Sequence, residues 1–147
     1  MRSFFMKMRG EGKSPPRGSL KEVLGSRVGA FLGIYAVGFL GHLVQLEQQD
    51  ILFLIGSFGA SAVVLYGTPG VPLAQPRNLM GGHILSALTG VLMYGWIAYP
   101  LYLSGTLSVA TAIAVMHLTK TTHPPEGATA LIVNNLTSFR RYPVFWW

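Results

Sequence analysis

Two long stretches of the chain, residues 51–76 and 78–119, contain no Lys, Arg, Asp or Glu. The second is long enough for two membrane spans, because a helix needs about 20 apolar residues to cross a bilayer. The whole chain is 50% hydrophobic and only 11% charged, whereas soluble domains are typically about 25% charged. A soluble all-helical domain is the alternative, but each of its helices would need a polar face, and residues 28–43 and 79–103 show none. We therefore predict an all-α fold, a polytopic transmembrane helix bundle.

Breaker residues divide the apolar sequence into about four predicted membrane segments, some interrupted by Gly or Pro. The second segment contains Gly-Ser-Phe-Gly at positions 56–59, and Ser104–Gly105 is the predicted turn between the third and fourth. The predicted segments are residues 28–46, 51–66, 78–103 and 106–118. Residues 127–133 either re-enter the membrane on one side or cross it, and both alternatives stay open at this point.

Basic residues cluster before the first apolar segment. Residues 1–27 contain seven Lys and Arg side chains: Arg2, Lys7, Arg9, Lys13, Arg17, Lys21 and Arg27. A basic arm can bind nucleic acid, but directly before a membrane span it is more typical of a cytoplasmic flank, which also places Arg77 and Lys120 on the cytoplasmic side. We predict a basic cytoplasmic tail over residues 1–27, a transmembrane domain over 28–136, and no nucleic-acid partner.

Small residues recur at four-residue spacing in the apolar segments. In a membrane this spacing lets two helix backbones approach closely, so the pattern predicts tight helix packing at three places: Gly25, Gly29 and Gly33; Gly82, Ser86 and Gly90; and Ala110 and Ala114.

The sharpest local signal is His-Pro-Pro-Glu-Gly-Ala-Thr at positions 123–129. Proline is favoured in the first turn of a helix, and the small residues that follow would let the free amides of that turn approach an anion. A plain interfacial helix start is the alternative. Glu126 itself would occupy the positive end of the helix and repel an anion, unless it points away or is protonated.

A second candidate is the segment Gln-Pro-Arg-Asn-Leu-Met-Gly-Gly-His at positions 75–83. Asn78 is a good N-cap for the third span, and Gly81, Gly82 and His83 follow it. One interpretation is an anion held by Arg77 and exposed amides. The other is an interfacial arginine whose head reaches out of the membrane.

The chain has four histidines and six methionines, which raises metal transport as another hypothesis. His117 and His123 are six residues apart, which is not a same-face helical spacing, and His42 falls near the opposite membrane face. We find no nucleophile elbow, no zinc-protease motif and no pair of membrane carboxylates. We therefore predict no enzyme activity, no resident metal and no cofactor.

Residues 58–65 and 126–133 resemble each other, since both contain Gly-Ala-(Ser/Thr)-Ala followed by aliphatic residues. One explanation of this similarity is coincidence, because both segments consist mainly of small residues. Paired interrupted apolar segments in corresponding parts of a chain also indicate a transporter binding site.

Three ordered motifs resemble the HPP family of integral membrane proteins: residues 57–63, residues 74–83 and residues 123–131. The resemblance covers roughly residues 25–135. Family members are described as having four membrane helices, and those of cyanobacteria and chloroplasts are similar to nitrite transporters. Members usually continue with another apolar helix, whereas residues 137–147 form an aromatic end that resembles the entry to a further span. We therefore expect a C-terminally truncated member.

The resemblance implies a homo-oligomeric transporter or channel for a small inorganic anion, with nitrite as the leading candidate. It implies a multi-pass location in a bacterial inner membrane with the N-terminus in the cytoplasm. A membrane-embedded scaffold or sensing module without transport is the alternative, and a metal-ion transporter is the third. The expected substrate-binding residues are Arg77, Asn78, Gly81, Gly82, His83, His123, Pro124, Pro125, Gly127, Ala128 and Thr129, with Ser57, Gly59 and Ser61 facing them from the second span.

Overall fold

The computed structural model describes residues 17–97 and 100–141, and these residues form five α-helices and one short 3-10 turn. The described part contains no β-strand, as the predicted all-α fold requires. The helices are α1 (Leu20–Leu43), α2 (Gln48–Gly67), α3 (Pro76–Trp96), α4 (Leu101–Thr119) and α5 (Glu126–Arg141), with the 3-10 turn at Pro72–Ala74.

Helix α1 begins at Leu20, earlier than the predicted start at residue 28. The reason is a capping box. The Ser19 hydroxyl accepts a hydrogen bond from the Glu22 amide at 3.3 Å, and the Glu22 carboxylate accepts one from the Ser19 amide at 2.6 Å. Two otherwise unpaired amides are satisfied in this way, so the last part of the basic segment belongs to the first helix.

The predicted turn at Ser104–Gly105 is wrong. Helix α3 ends at Trp96, α4 begins after Pro100, and both Ser104 and Gly105 are buried inside α4. Proline lacks an amide hydrogen and therefore fits the start of a helix better than its interior. The expected interruption at positions 56–59 is also wrong, because α2 runs through these residues as one continuous helix.

The helices alternate in direction, which brings the start of α1 and the end of α2 together. The Ser26 hydroxyl donates to the Tyr66 carbonyl at 2.5 Å. The Arg77 guanidinium donates to the Thr119 carbonyl at 3.0 Å, which joins the start of α3 to the end of α4. We call this end of the bundle, with the described basic residues Arg17, Lys21, Arg27, Arg77 and Lys120, the basic end.

Helix α5 starts at the basic end and runs away from it along α3 and α4. Asn134 bonds to Ser104, in the first turn of α4, so α5 has by then reached the other end of the bundle. Residues 127–133 therefore lie within one continuous helix that runs along the bundle.

Helices α3, α4 and α5 pack against one another, while α1 packs mainly on α2, which also touches α5. The predicted small-residue packing is confirmed on α3, where Gly82, Ser86 and Gly90 are all buried. On α1, the Tyr66 ring lies over the predicted glycines Gly29 and Gly33. The prediction for Ala110 and Ala114 is wrong, because both are exposed and a different face of α4 is buried.

Two of the described helices, α1 and α4, are long and apolar enough to cross a membrane. Their outer surfaces are apolar as well, and no residue in the apolar window of α1 is buried. Large side chains point outward on other helices too, including Trp96, which is 80% exposed. Exposed apolar surface on this scale is costly in water and favourable in lipid.

Candidate functional site

The His-Pro-Pro segment forms the turn between α4 and α5. Lys120 ends α4 in the left-handed conformation, with φ of 56°, and α5 begins at Glu126. The amides of Gly127 and Ala128 donate to the carbonyls of Pro124 and Pro125 at 3.4 and 3.1 Å. These two amides, which we expected to meet an anion, therefore already have acceptors in the turn.

Arg77 and Asn78 attach this turn to α3. The Asn78 side chain donates to the Thr122 carbonyl at 2.8 Å, and Arg77 donates to the carbonyl of Thr119. Asn78 is not the N-cap of α3, because the helix begins at Pro76 with Gln75 as its cap. Both predicted side chains therefore join α3 to carbonyls at the end of α4 and in the turn that follows it.

His83, His123 and Glu126 meet beneath this turn, and we call them the buried cluster. Nδ1 of His83 lies 2.6 Å from a carboxylate oxygen of Glu126, and Nε2 of His123 lies 4.0 Å from the other. Glu126 and His123 are both 0% exposed. Gly82 makes room for this arrangement, since a Cβ atom there would lie 2.7 Å from Cγ of Glu126.

Hydroxyl groups surround the buried cluster on the side of α2. The Thr129 hydroxyl lies 3.1 Å from Nδ1 of His83 and 2.6 Å from the Ser57 hydroxyl. The Ser61 hydroxyl lies 3.2 Å from Nε2 of His123. The two segments with similar sequences thus face each other, and most predicted site residues are brought together.

Several predicted site residues are not placed in the cluster. Arg77 and Pro124 are exposed at the turn. Ala128 is exposed. A Cβ atom at Gly59 would have no neighbour within 4 Å, so this glycine does not serve a close approach to the site.

Three buried polar atoms of the cluster have no hydrogen-bond partner among the described residues: both carboxylate oxygens of Glu126 and Nε2 of His83. His83 and Glu126 lie close together, but without the geometry of a hydrogen bond. Burying a polar group without a partner costs about 1–3 kcal/mol. An ionisable residue kept inside a membrane domain in this state marks an ion or substrate pathway by default.

A cavity of about 170 Å³ adjoins the cluster between α1, α2 and α3. Ser61, which contacts His123, and Phe58, whose ring stacks on His83 at 4.3 Å, both line it. One water molecule occupies roughly 30 Å³ in the liquid. The cavity therefore has room for a small solute beside the buried cluster.

Sequence reasoning missed two site residues, Glu126 and Asn134. The sequence alone suggests that Glu126 repels an anion from the helix start, although a carboxylate in an apolar setting is itself a functional signal. Asn134 lies two helical turns further along α5, and its side-chain nitrogen lies within hydrogen-bond distance of the Ser104 hydroxyl, the Ser108 hydroxyl and the Gly90 carbonyl, at 2.6, 3.0 and 3.3 Å. The four-residue spacing of Glu126, Ala130 and Asn134 was the available signal, because it places them on one helix face.

The other two histidines lie apart from the cluster, since His42 and His117 are both exposed. Within residues 17–97 and 100–141, no group of three or more His, Asp or Glu side chains is placed to hold one metal ion.

Comparison with known proteins identifies relatives in a eukaryote. Two transmembrane proteins of Dictyostelium discoideum are 39% and 34% identical to the chain over 98% of its length. The chain spans only 57% and 63% of these relatives, so it corresponds to part of their length. No solved structure matches it significantly. These relatives give no support to a bacterial inner membrane. Of the predicted aromatic end at residues 137–147, the structure describes only residues 137–141, which belong to α5, and the rest lies outside the described residues.

The family comparison covers almost the whole chain. A model described as the transmembrane region of HPP proteins matches residues 15–146. This range includes all five helices and every residue of the buried cluster. The chain is a membrane protein and belongs to the HPP transmembrane family.

Proposed function

We propose that this protein is a membrane transporter or channel for a small inorganic anion, with nitrite as the leading candidate. The observation that carries the proposal is the buried cluster of His83, His123 and Glu126, an ionisable site with unpaired polar atoms inside a membrane domain. Such groups are costly in lipid and are retained at ion and substrate pathways.

The charge distribution favours an anion. Arg77 and Lys120 are both exposed beside the His-Pro-Pro turn, and a concentration of one sign of charge raises the local concentration of the opposite ion. The hydroxyls of Ser57, Ser61 and Thr129 are donors that can replace water around an anion. Nitrite itself is suggested by the similarity of HPP proteins to nitrite transporters.

The same observations suggest an orientation and an assembly. The positive-inside rule places the basic end in the cytoplasm, and with it the N-terminus. The exposed apolar surface of α1 and the few helices of the chain favour a homo-oligomer in the lipid bilayer.

Flux into proteoliposomes tests the proposal. The purified chain and the same chain extended by its native flanking sequence are reconstituted in parallel, and trapped nitrite is measured against protein-free vesicles. We expect protein-dependent uptake in at least one of the two forms. Folded protein that moves no nitrite in either form would contradict the proposal and favour the scaffold.

We expect Arg77→Gln to raise the nitrite concentration for half-maximal uptake several-fold, because the exposed guanidinium attracts the anion to the turn. Lys120→Gln is the matched control, since it removes one positive charge at the same end from a side chain that is also exposed. Initial uptake rates over a range of nitrite concentrations measure both variants. If both variants raise this nitrite concentration equally, Arg77 contributes only as part of the general positive surface charge.

A further inference from the structure

The hydrogen bonds of His123 determine where its ring carries a proton. Nδ1 lies 2.8 Å from the Leu73 carbonyl, which only accepts hydrogen bonds, so Nδ1 must be the protonated nitrogen. Nε2 faces the Ser61 hydroxyl at 3.2 Å and accepts from it when the ring is neutral. A neutral His123 thus satisfies both contacts, and the ring needs no positive charge to hold its place.

Glu126 and His83 share a different arrangement. Nδ1 of His83 lies 2.6 Å from one carboxylate oxygen of Glu126, without the geometry of a hydrogen bond. Neither carboxylate oxygen of Glu126 has a hydrogen-bond partner among the described residues, and neither has Nε2 of His83. The pair therefore offers buried, unpaired atoms at which one further proton can bind.

No other charged side chain of the described residues contacts Glu126. Helix α3 contributes His83 and the turn contributes His123, while α2 contributes hydroxyls. The titratable side chains of α4, Tyr102 and His117, are exposed. The basic residues Arg77 and Lys120 are exposed at the turn above the cluster. The net charge of the buried cluster therefore depends on how many protons His83, His123 and Glu126 carry.

The cluster has two charge states, one that repels an anion and one that allows it to bind. With both rings neutral and Glu126 ionised it carries one negative charge, and one added proton makes it neutral. Two like charges about 5 Å apart in a protein interior repel strongly enough to weaken binding by roughly a hundredfold or more. An anion therefore approaches the protonated cluster far more readily than the ionised one.

We propose that Glu126 is the proton-binding carboxyl of a proton–anion symporter, with His83 sharing the bound proton and one proton crossing with each anion. The proposal rests on the proposed anion transport and assigns its coupling ion. A proton binds a carboxylate oxygen of Glu126 on the acid side, and an O–H bond forms. The anion then binds, both are released on the other side, and the O–H bond breaks as the proton passes to water.

This coupling makes each transport cycle electrically neutral, because a negative and a positive charge move together. A pH gradient with the acid side outside should therefore concentrate nitrite in vesicles, while a membrane potential alone should not. A channel or uniporter for an anion responds in the opposite way, since it moves net charge.

The test combines two readouts on the same proteoliposomes, in sodium-free buffer and corrected for protein-free vesicles. Trapped nitrite reports transport, and a pH-sensitive dye in the lumen reports proton movement. We expect the wild-type protein to acidify the lumen in step with nitrite uptake, and a tenfold pH gradient to raise the final lumenal nitrite several-fold. A potential set with potassium and valinomycin should change neither signal.

Glu126→Gln removes the titrating group and keeps the shape of the side chain. We expect it to reduce pH-driven accumulation at least tenfold. Asp50→Asn is the matched control, because Asp50 is also a carboxylate in the first turn of a helix but lies at the other end of the bundle. It should accumulate nitrite as the wild type does. If Glu126→Gln misfolds, the gradient experiment on the wild-type protein still tests proton coupling.

The outcomes separate the coupling from the transport. Nitrite uptake that follows the potential, or a sodium gradient, without lumenal acidification would overturn proton coupling while leaving anion transport standing. Normal pH-driven accumulation by folded Glu126→Gln would overturn the role of Glu126. Folded wild-type protein without any nitrite flux would overturn the proposed function, and the coupling with it.

Discussion

Replacing Gly90 by Leu is expected to prevent α5 from packing on α3. A Cβ atom at this position would lie 2.6 Å from the Ala130 carbonyl oxygen and 3.2 Å from the Asn134 amide nitrogen. Both are backbone atoms of a helix, which cannot rotate away as a side chain can. Overpacking a core by a few methylenes lowers the free energy of unfolding by about 1–3 kcal/mol. Because the Leu side chain meets backbone atoms, we expect Gly90→Leu to lose about 3 kcal/mol or more. The thermal unfolding midpoint in detergent measures the loss.

Gly95→Leu is the matched control for this substitution. Gly95 lies on the same helix and is exposed, and a Cβ atom at this position would have no neighbour within 4 Å. We expect its midpoint to equal that of the wild type. If Gly90→Leu and Gly95→Leu unfold at the same temperature, α3 and α5 do not meet at Gly90.

Replacing His123 by Ala should reduce nitrite uptake at least tenfold. The ring joins the Leu73 carbonyl, in the segment before α3, to the Ser61 hydroxyl on α2. Without it both groups lose their partner, and Ser61 is buried, where an unpaired polar group costs about 1–3 kcal/mol. The turn that positions Glu126 then relaxes, and an active site displaced by an ångström can lose a factor of about a hundred in rate. Initial uptake rates and the unfolding midpoint are measured together.

His117→Ala controls for the loss of an imidazole from the same part of the chain. His117 is exposed in the last turn of α4, so both uptake and stability should stay at the wild-type level. Full uptake by His123→Ala would contradict the placement of this histidine in the transport site.

The helical membrane fold was predictable because it depends on composition over long stretches. The absence of charge from residues 78–119 is a property of the sequence itself. The break between α3 and α4 was missed for the same reason: no charged residue marks it, and both Pro100 and Ser104–Gly105 are breaker signals. The choice between them depends on burial, since Gly105 packs near Leu131 of α5.

The candidate site was predictable in part. The glycine pair before His83 and the prolines after His123 indicated two special turns, and the structure brings both histidines together. The role of Glu126 was hidden because the charge state and burial of a side chain depend on the helices packed around it. Asn134 was missed because its partners, Ser104 and Ser108, lie on another helix.

Substrate protection of an engineered thiol tests most directly whether the anion passes the buried cluster. The chain contains no cysteine, so Ser61→Cys would carry a single thiol beside His123 and the cavity. Thr68→Cys is the control, because Thr68 is exposed directly after the end of the same helix. A water-soluble thiol reagent is applied to proteoliposomes with and without saturating nitrite, since only the thiolate in water reacts readily.

We expect nitrite to slow the modification of Ser61→Cys several-fold and to leave that of Thr68→Cys unchanged. Protection of this kind means that the anion occupies the space next to the buried cluster. Modification of Ser61→Cys at the same rate with and without nitrite, in vesicles that still take up nitrite, would contradict the account, because the anion would then cross by another path.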